Sequence, residues 1–104
     1  MNGVAAAASG TFGKRLKEAR NAVGLSQKQL GVLAGLDEFV ASTRVNRYER
    51  GVHEPDAGIA LKLAEVLSVP RAYLYADDDE MAQLILAYAN ASRAMRKSVL
   101  KALA

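Results

Sequence analysis

The side chains best suited to chemistry lie close together near the middle of the chain. They are two hydroxyls, one amide and three guanidinium groups: Ser42, Thr43, Arg44, Asn46, Arg47 and Arg50. This set offers hydrogen-bond donors and acceptors rather than an activated nucleophile. Arginine can make two hydrogen bonds to guanine, and threonine can contact the thymine methyl group. The stretch therefore indicates non-covalent recognition of a DNA major groove.

The residue types expected of catalytic or metal sites are scarce in the sequence. The chain has no Cys, and His53 is its one histidine, which excludes disulfides and thiolate metal sites. The sequence contains no Ser/His/Asp pattern and no glycine-rich phosphate loop. We therefore expect no enzyme activity, no cofactor and no metal. We interpret His53 as a phosphate contact, with plain exposure as the alternative.

Two short helices are predicted to position the polar stretch. The first begins with Ser26 as N-cap, because Ser26 and Gln29 form a capping-box pattern. Its buried face comprises Leu30, Leu33 and Ala34, and Gly35 allows a turn. The second runs from about Ser42 to Glu49 and points Val45 and Tyr48 inward. Since helix N-termini favour anions, we expect phosphate contacts at the start of the first, from Ser26, Gln27 and Lys28. A plain cap is the alternative role for Ser26.

Three further helices are predicted around this pair. The first covers Thr11 to Val23 and ends at Gly24. Its buried stripe is Phe12, Leu16, Ala19 and Val23, and its outward side is Lys14, Arg15, Lys17 and Glu18. Asp56 caps a fourth helix, whose buried side is Ile59, Leu63, Val66 and Leu67. Pro70 starts a fifth, RAYLYA, in which Tyr73 and Leu74 close the core.

The last part of the chain, residues 77–104, opens with four consecutive acids. Asp77 to Glu80 form either a linker or the acidic first turn of another helix. The apolar pattern that follows predicts one kinked helix or two short ones, with Met81, Leu84, Ile85, Tyr88, Val99, Leu100 and Leu103 along it. This face packs either on its own domain or on a second copy, and we favour the second copy.

Several short segments of the sequence match a known family, and they occur in the same order as in that family. They are FGKRLKEAR, GLSQKQLGVLAG, VNRYERG and PDAGIALKLAEVLSVPRAYLY, which together span about residues 12–75. With these words the chain resembles the Cro/repressor-type, or XRE, family of helix-turn-helix transcriptional regulators. The resemblance implies an all-α fold: a five-helix lambda-repressor-like DNA-binding domain over residues 10–76, with a C-terminal helical extension.

The resemblance also assigns roles to residues. In the family, side chains of the first turn of the recognition helix and one turn later enter the groove; these are Ser42, Thr43, Arg44, Asn46 and Arg47. A phosphate contact is the alternative for Arg44 and Arg47. The loop of Arg50 and His53 is expected along the DNA backbone. The family pattern further pairs Arg20 with Glu49, and removing one partner of such a pair would cost about 3 kcal/mol.

The sequence departs from the family between its turn glycine and its recognition helix. About four extra residues, at 37–41, make the turn longer and leave the start of the recognition helix open. Asp37 is expected to cap a small extra turn, and Phe39 to tuck beneath it. The acidic pair Asp37–Glu38 would repel phosphate unless it points away from the DNA.

Composition agrees with a small cytoplasmic, nucleoid-associated protein. The net charge is +3, and residues 1–76 hold ten Lys/Arg against seven Asp/Glu, whereas residues 77–104 hold four of each. The excess positive charge thus coincides with the helix-turn-helix words. No apolar run approaches the roughly 18 residues of a membrane span. Residues 1–9 are read as a disordered leader.

These observations predict a sequence-specific binder of double-stranded DNA. We expect a transcriptional regulator, and the resemblance to the family implies a repressor. It is expected to act as a homodimer on a pseudo-palindromic operator. The alternative is an antitoxin-type interaction protein, which would bind a toxin through residues 80–104 and regulate its own operon. An enzyme that borrows the fold is disfavoured because the chain has no room for a separate catalytic domain.

Overall fold

The computed structural model describes the backbone of residues 2–104 and the side chains of residues 10–104. Over this range the chain is helical and contains no strand, as predicted. The helices, in chain order, are α1 (Asn2–Val23), α2 (Gln27–Leu33), α3 (Ala41–Glu49), α4 (Ala57–Leu67), α5 (Arg71–Leu74), α6 (Asp79–Asn90) and α7 (Arg93–Leu103). The predicted leader, residues 1–9, lies outside the residues whose side chains are described. None of the described helices is both long enough and apolar enough to cross a membrane.

The hydrophobic core draws one fully buried large side chain from each of the first five helices. These side chains are Leu16, Leu30, Val45, Leu63 and Leu74. Their burial follows from the predicted apolar faces of α1 to α5, which converge on one interior. The five-helix domain is thus a single packed unit, as the sequence predicted.

Two predicted core residues are exposed. Val23 is about half exposed at the end of α1, where Arg20 makes the contacts to neighbouring elements instead. Leu33 is 62% exposed at the end of α2.

A glycine lets α2 lie close to α3. The contact is made through Gly31, which is buried against Ala41. A Cβ on Gly31 would lie 2.7 Å from the Ala41 Cβ.

A second glycine brings α1 against the end of α3. A Cβ on Gly13 would lie 2.2 Å from the carbonyl oxygen of Glu49 and 2.8 Å from that of Tyr48. Because backbone atoms cannot move aside, only a residue without a Cβ fits here. Gly13 and Gly31 together let α3 lie close to both α1 and α2.

Arg15 is buried, so the prediction that it faces solvent is wrong. Its residue is only 3% exposed, and its Nε donates to the Ala76 carbonyl at 3.0 Å. Its Nη1 donates to Asp79 at 2.9 Å and to Glu18 at 3.3 Å. A buried arginine needs such partners, and two of them, Ala76 and Asp79, lie far along the chain, where the helical pattern of α1 cannot reveal them. Arg15 therefore joins α1 to the start of α6.

The extension consists of two helices, which settles the choice between one kinked helix and two short ones. Asp78 caps α6 by accepting from the Met81 amide at 2.8 Å, so the acidic run is a helix start. Ala82 is buried against the core, so α6 begins on its own domain. Ser92 caps α7, and Arg96 Nε donates to the Tyr88 carbonyl at 2.8 Å, closing the end of α6. No residue of α7 is buried.

Candidate nucleic-acid interface

The two faces of α3 differ sharply in character. Its inner face is buried and consists of Ala41, Val45 and Tyr48. Its outer face is exposed and carries the polar residues singled out in the sequence, Ser42, Thr43, Arg44, Arg47 and, as C-cap, Arg50. The helix begins at Ala41, one residue before the predicted start. The long turn expected before it is present and spans residues 34–40.

The predicted pair Arg20–Glu49 lies at the junction of α1 and α3. Arg20 Nε donates to Glu49 Oε2 at 2.6 Å, and Nη2 donates to Oε1 at 3.1 Å. Arg20 Nη1 also donates to the Leu25 carbonyl at 2.9 Å. The side chains are only 12% and 3% exposed, respectively. This bidentate, largely buried pair fixes the end of α3 relative to α1.

A chain of amide contacts links the start of α2 to the middle of α3. Gln27 Nε2 donates to Asn46 Oδ1 at 3.2 Å and to Glu49 Oε1 at 3.0 Å. The structure thus brings together one predicted phosphate contact and one predicted base reader. Since these bonds use Gln27 Nε2 and Asn46 Oδ1, the Asn46 Nδ2 and Gln27 Oε1 atoms are left for other partners.

On the other side of α3, an open groove of about 670 Å³ gathers several of the predicted DNA-contacting side chains. Arg44, Arg47 and His53 line it together with Val40, Thr43, Tyr48 and Glu54. The loop that carries His53 is held near α3 because the Arg47 carbonyl accepts from the Val52 and His53 amides at 3.0 and 3.4 Å. The predicted base readers Thr43, Arg44 and Arg47 therefore share one surface with the predicted phosphate contact His53.

Tyr48 has a second role that the sequence reading missed. Its hydroxyl accepts from Arg44 Nη2 at 2.9 Å, and the Arg44 guanidinium lies 5.9 Å from the centre of its ring. The spacing of four residues, which places both side chains on one side of a helix, was the available signal. Tyr48 thus anchors the apolar face and also orients a predicted base reader.

The remaining predicted phosphate contacts lie at the start of α2. The Ser26 hydroxyl accepts from the Gln29 amide at 3.0 Å, and Gln29 Oε1 accepts from the Ser26 amide at 2.8 Å, forming the predicted capping box. Lys28 is exposed and makes no ion pair with any described residue. Among the described side chains, no group of His, Asp and Glu could hold a metal ion.

The inserted turn follows one prediction and contradicts another. Asp37 Oδ1 accepts from the Phe39 amide at 2.8 Å, so Asp37 does cap the extra turn. Phe39 does not tuck beneath it and is 89% exposed. The buried positions on either side of this turn are taken instead by Leu36 and Ala41.

Comparison with known proteins agrees with this geometry. The helix-turn-helix family model matches residues 16–74. The chain is 35% identical over 69 residues to the HTH-type transcriptional regulator ImmR of Bacillus subtilis (strain 168), a match that covers 66% of this chain and 51% of ImmR. The chain thus spans about half the length of this curated relative.

A solved structure extends the likeness beyond the family model. It is the crystal structure of the transcriptional regulator BswR, which shares 48% identity and a TM-score of 0.82, covering 88% of this chain and 90% of that one. At this coverage the match includes part of the extension as well as the domain. Both related proteins are regulators, in agreement with the expectation that this chain is not an enzyme. This chain belongs to the Cro/repressor-type helix-turn-helix family of transcriptional regulators.

Proposed function

We propose that this protein is a repressor that binds a specific double-stranded DNA sequence through the outer face of α3. The observation that carries the proposal is the division of α3 into two faces. All of its buried residues lie on one face, while Arg47 and Arg50 on the other make no ion pair with a described residue. A short helix held from behind, with unpaired cations in front, suits a major groove and its phosphates.

The contacts within the site suggest different roles for its arginines. Arg44 is held by Tyr48, so its guanidinium is oriented before DNA arrives and loses less freedom on binding a guanine edge. Arg47 has no such partner and is assigned to the centre of the outer face, one turn after Thr43. Ser42 and Asn46 complete the base-reading set beside α2. Ser26, Gln27, Lys28, Arg50 and His53 flank it as phosphate contacts.

We assign dimerisation to the outer side of the extension. A groove of about 400 Å³ there is almost wholly apolar, with Pro70, Leu84, Ile85, Tyr88, Ala89, Val99, Leu100 and Leu103 along it. Since α7 buries none of its residues within one chain, its apolar stripe gains contacts by packing on a second copy. Two copies related by a twofold axis would present two α3 helices about 34 Å apart.

The proposal is tested by selecting bound duplexes from a random DNA pool at near-physiological salt, with the oligomeric state measured by light scattering. We expect a palindromic motif with half-sites about ten base pairs apart, bound by a dimer. Leu100→Glu should give monomers, whereas Ser98→Glu, on the opposite side of α7, should leave the dimer intact. Weak binding that salt abolishes, with no motif, would contradict the proposal. In that case an antitoxin-like protein partner for residues 80–104 becomes the better account.

A further inference from the structure

The most exposed large apolar side chain among the described residues belongs to Phe39, in the turn between α2 and α3. Single exposed apolar residues are ordinary on protein surfaces, but this one is held in place. The Asp37 carboxylate accepts from the Phe39 amide at 2.8 Å, and the Asp37 carbonyl accepts from the Val40 amide at 3.1 Å. A capped turn therefore fixes the backbone from which the exposed ring projects.

The turn leads directly into the helix assigned to the major groove. Phe39 lies two residues before Ala41, the first residue of α3, and the Val40 carbonyl accepts from the Arg44 amide at 2.9 Å. Val40 itself lines the groove that contains Thr43, Arg44 and Arg47. Because residues at the N-terminal end of a recognition helix contact base edges, Phe39 is placed where DNA would be met first.

The two acidic residues beside Phe39 are placed differently. The Asp37 carboxylate is exposed and caps the turn by accepting from the Phe39 amide. Glu38 lies on the α2 side, where it lines a shallow depression with Lys28, Gln29 and Leu33. Asp37 is thus engaged at the backbone of the turn and Glu38 lies toward α2, while the exposed side chain just before α3 is the apolar ring of Phe39.

We propose that Phe39 contacts the 5-methyl group of a thymine in each half-site. The thymine methyl is the apolar feature of the major groove, and aromatic side chains are among the groups that contact it. The inference rests on the proposed function and adds to it an apolar specificity contact. The polar residues of α3 would read hydrogen-bonding edges, while Phe39 would read a methyl group at the edge of the site.

The test uses the selected duplex, with each thymine replaced in turn by deoxyuridine, which lacks only the methyl group. For the wild-type protein we expect affinity to fall about fourfold at one thymine per half-site, the value for removing one methyl from an apolar contact. Phe39→Ala should bind the unmodified duplex more weakly and lose this sensitivity. Leu33→Ala, which removes another exposed apolar side chain at the end of α2, should retain it.

Three results would overturn the inference. Phe39→Ala could keep the wild-type response to deoxyuridine, bind every duplex with wild-type affinity, or weaken binding equally for all sequences. A thermal unfolding curve unchanged from wild type shows that Phe39→Ala is folded, as expected for so exposed a side chain. Failure of the proposed function is distinct, because the wild-type protein itself would then select no motif.

Discussion

One arginine–carboxylate contact holds the five-helix domain together and a second joins the C-terminal extension to that domain, but the two contacts differ in environment. Arg20 and Glu49 are both covered, at 12% and 3% side-chain exposure. Arg15 is equally covered, yet its partner Asp79 is 72% exposed. The Arg20–Glu49 contact is therefore shielded from water. The Arg15–Asp79 contact, which we call the rim contact, is open to water on the side of Asp79.

This difference separates two structural tasks. Within the domain, α3 is held by the Arg20–Glu49 pair, by the Gln27 amide and by two glycine contacts, so its outer face is presented in one orientation. The extension begins on the domain through Arg15 and Ala82, but α7 buries nothing there. We interpret the domain as a support that holds the outer face of α3 in place. We interpret the extension as a helix pair whose apolar side stays exposed in the single chain.

The largest effect should come from breaking the covered pair. Arg20→Ala or Glu49→Ala leaves a buried charge without its partner, and we expect each to lower the free energy of unfolding by about 3–5 kcal/mol. Urea denaturation measures this loss. Lys17→Ala, an exposed change on the same helix, should have almost no effect.

A double-mutant cycle isolates the pair from the other contacts of each residue. Because Arg20 and Glu49 contact each other directly, the combined variant should lose less than the sum of the two single losses. Additive losses would mean that the two residues stabilise the domain independently. They would contradict the claim that the Arg20–Glu49 contact fixes α3 relative to α1.

The next largest effect should come from closing the gap between α1 and α3. Gly13→Ala places a Cβ 2.2 Å from the Glu49 carbonyl oxygen, so we expect a loss of at least about 1–3 kcal/mol in the free energy of unfolding. Gly10→Ala is the matched control, since nothing lies within 4 Å of its Cβ. Equal effects at both positions would show that α1 does not pack tightly on α3.

Arg47 offers a test of how α3 reads DNA. If Arg47 contacts a guanine, Arg47→Ala should relax the preference at one base pair, worth about 1–3 kcal/mol of discrimination. Lys28→Ala should instead weaken binding to all sequences and reduce the salt dependence by about one unit of slope. Competition binding against single-base variants of the operator separates the two. Uniform weakening by Arg47→Ala would assign it to a phosphate.

The smallest effect should come from the rim contact. Hydrogen bonds from Arg15 and then from Lys14 lower the pKa of Asp79 below its ordinary value of 3.8. The stabilisation from this carboxylate is therefore complete above that value and is lost as pH falls through the lower pKa of the folded state. We expect the difference in melting temperature between wild type and Asp79→Asn to be small near neutral pH, because salt and water screen the contact.

The acid dependence supplies the control for this last variant. The difference between wild type and Asp79→Asn should shrink as pH falls below the ordinary carboxyl pKa, and should disappear once Asp79 is protonated in both the folded and the unfolded state. Asp77→Asn, an exposed acid nearby without a described partner, should melt with the wild type throughout. A difference that persists undiminished at low pH would show that Asp79 acts by packing rather than by charge.

Local patterns made much of the domain predictable. The capping box of Ser26 and Gln29, the cap at Asp56 and the apolar spacing of α1 to α5 each depend on residues within a few positions of one another. The Arg20–Glu49 contact was anticipated because the family resemblance supplied a partner 29 positions away.

Contacts between distant segments were harder to anticipate. Arg15 looked like a surface residue because its partners, Ala76 and Asp79, lie more than 60 positions along the chain. The turn that carries Phe39 buries Leu36 and Ala41 and leaves the ring exposed, a choice that no helical periodicity encodes. The same holds for the engagement of Gln27 with Asn46, which joins two elements whose relative placement only the packed fold defines.

The proposed division between a domain that reads DNA and an extension that pairs two copies is tested most directly by comparing full and half operator sites. Wild-type protein should bind the full site at least about a hundredfold more tightly than a single half-site, because the second contact becomes intramolecular. Leu100→Glu should bind the half-site as well as wild type does and lose the full-site advantage. If Leu100→Glu kept that advantage, the extension would not be what joins the two reading domains.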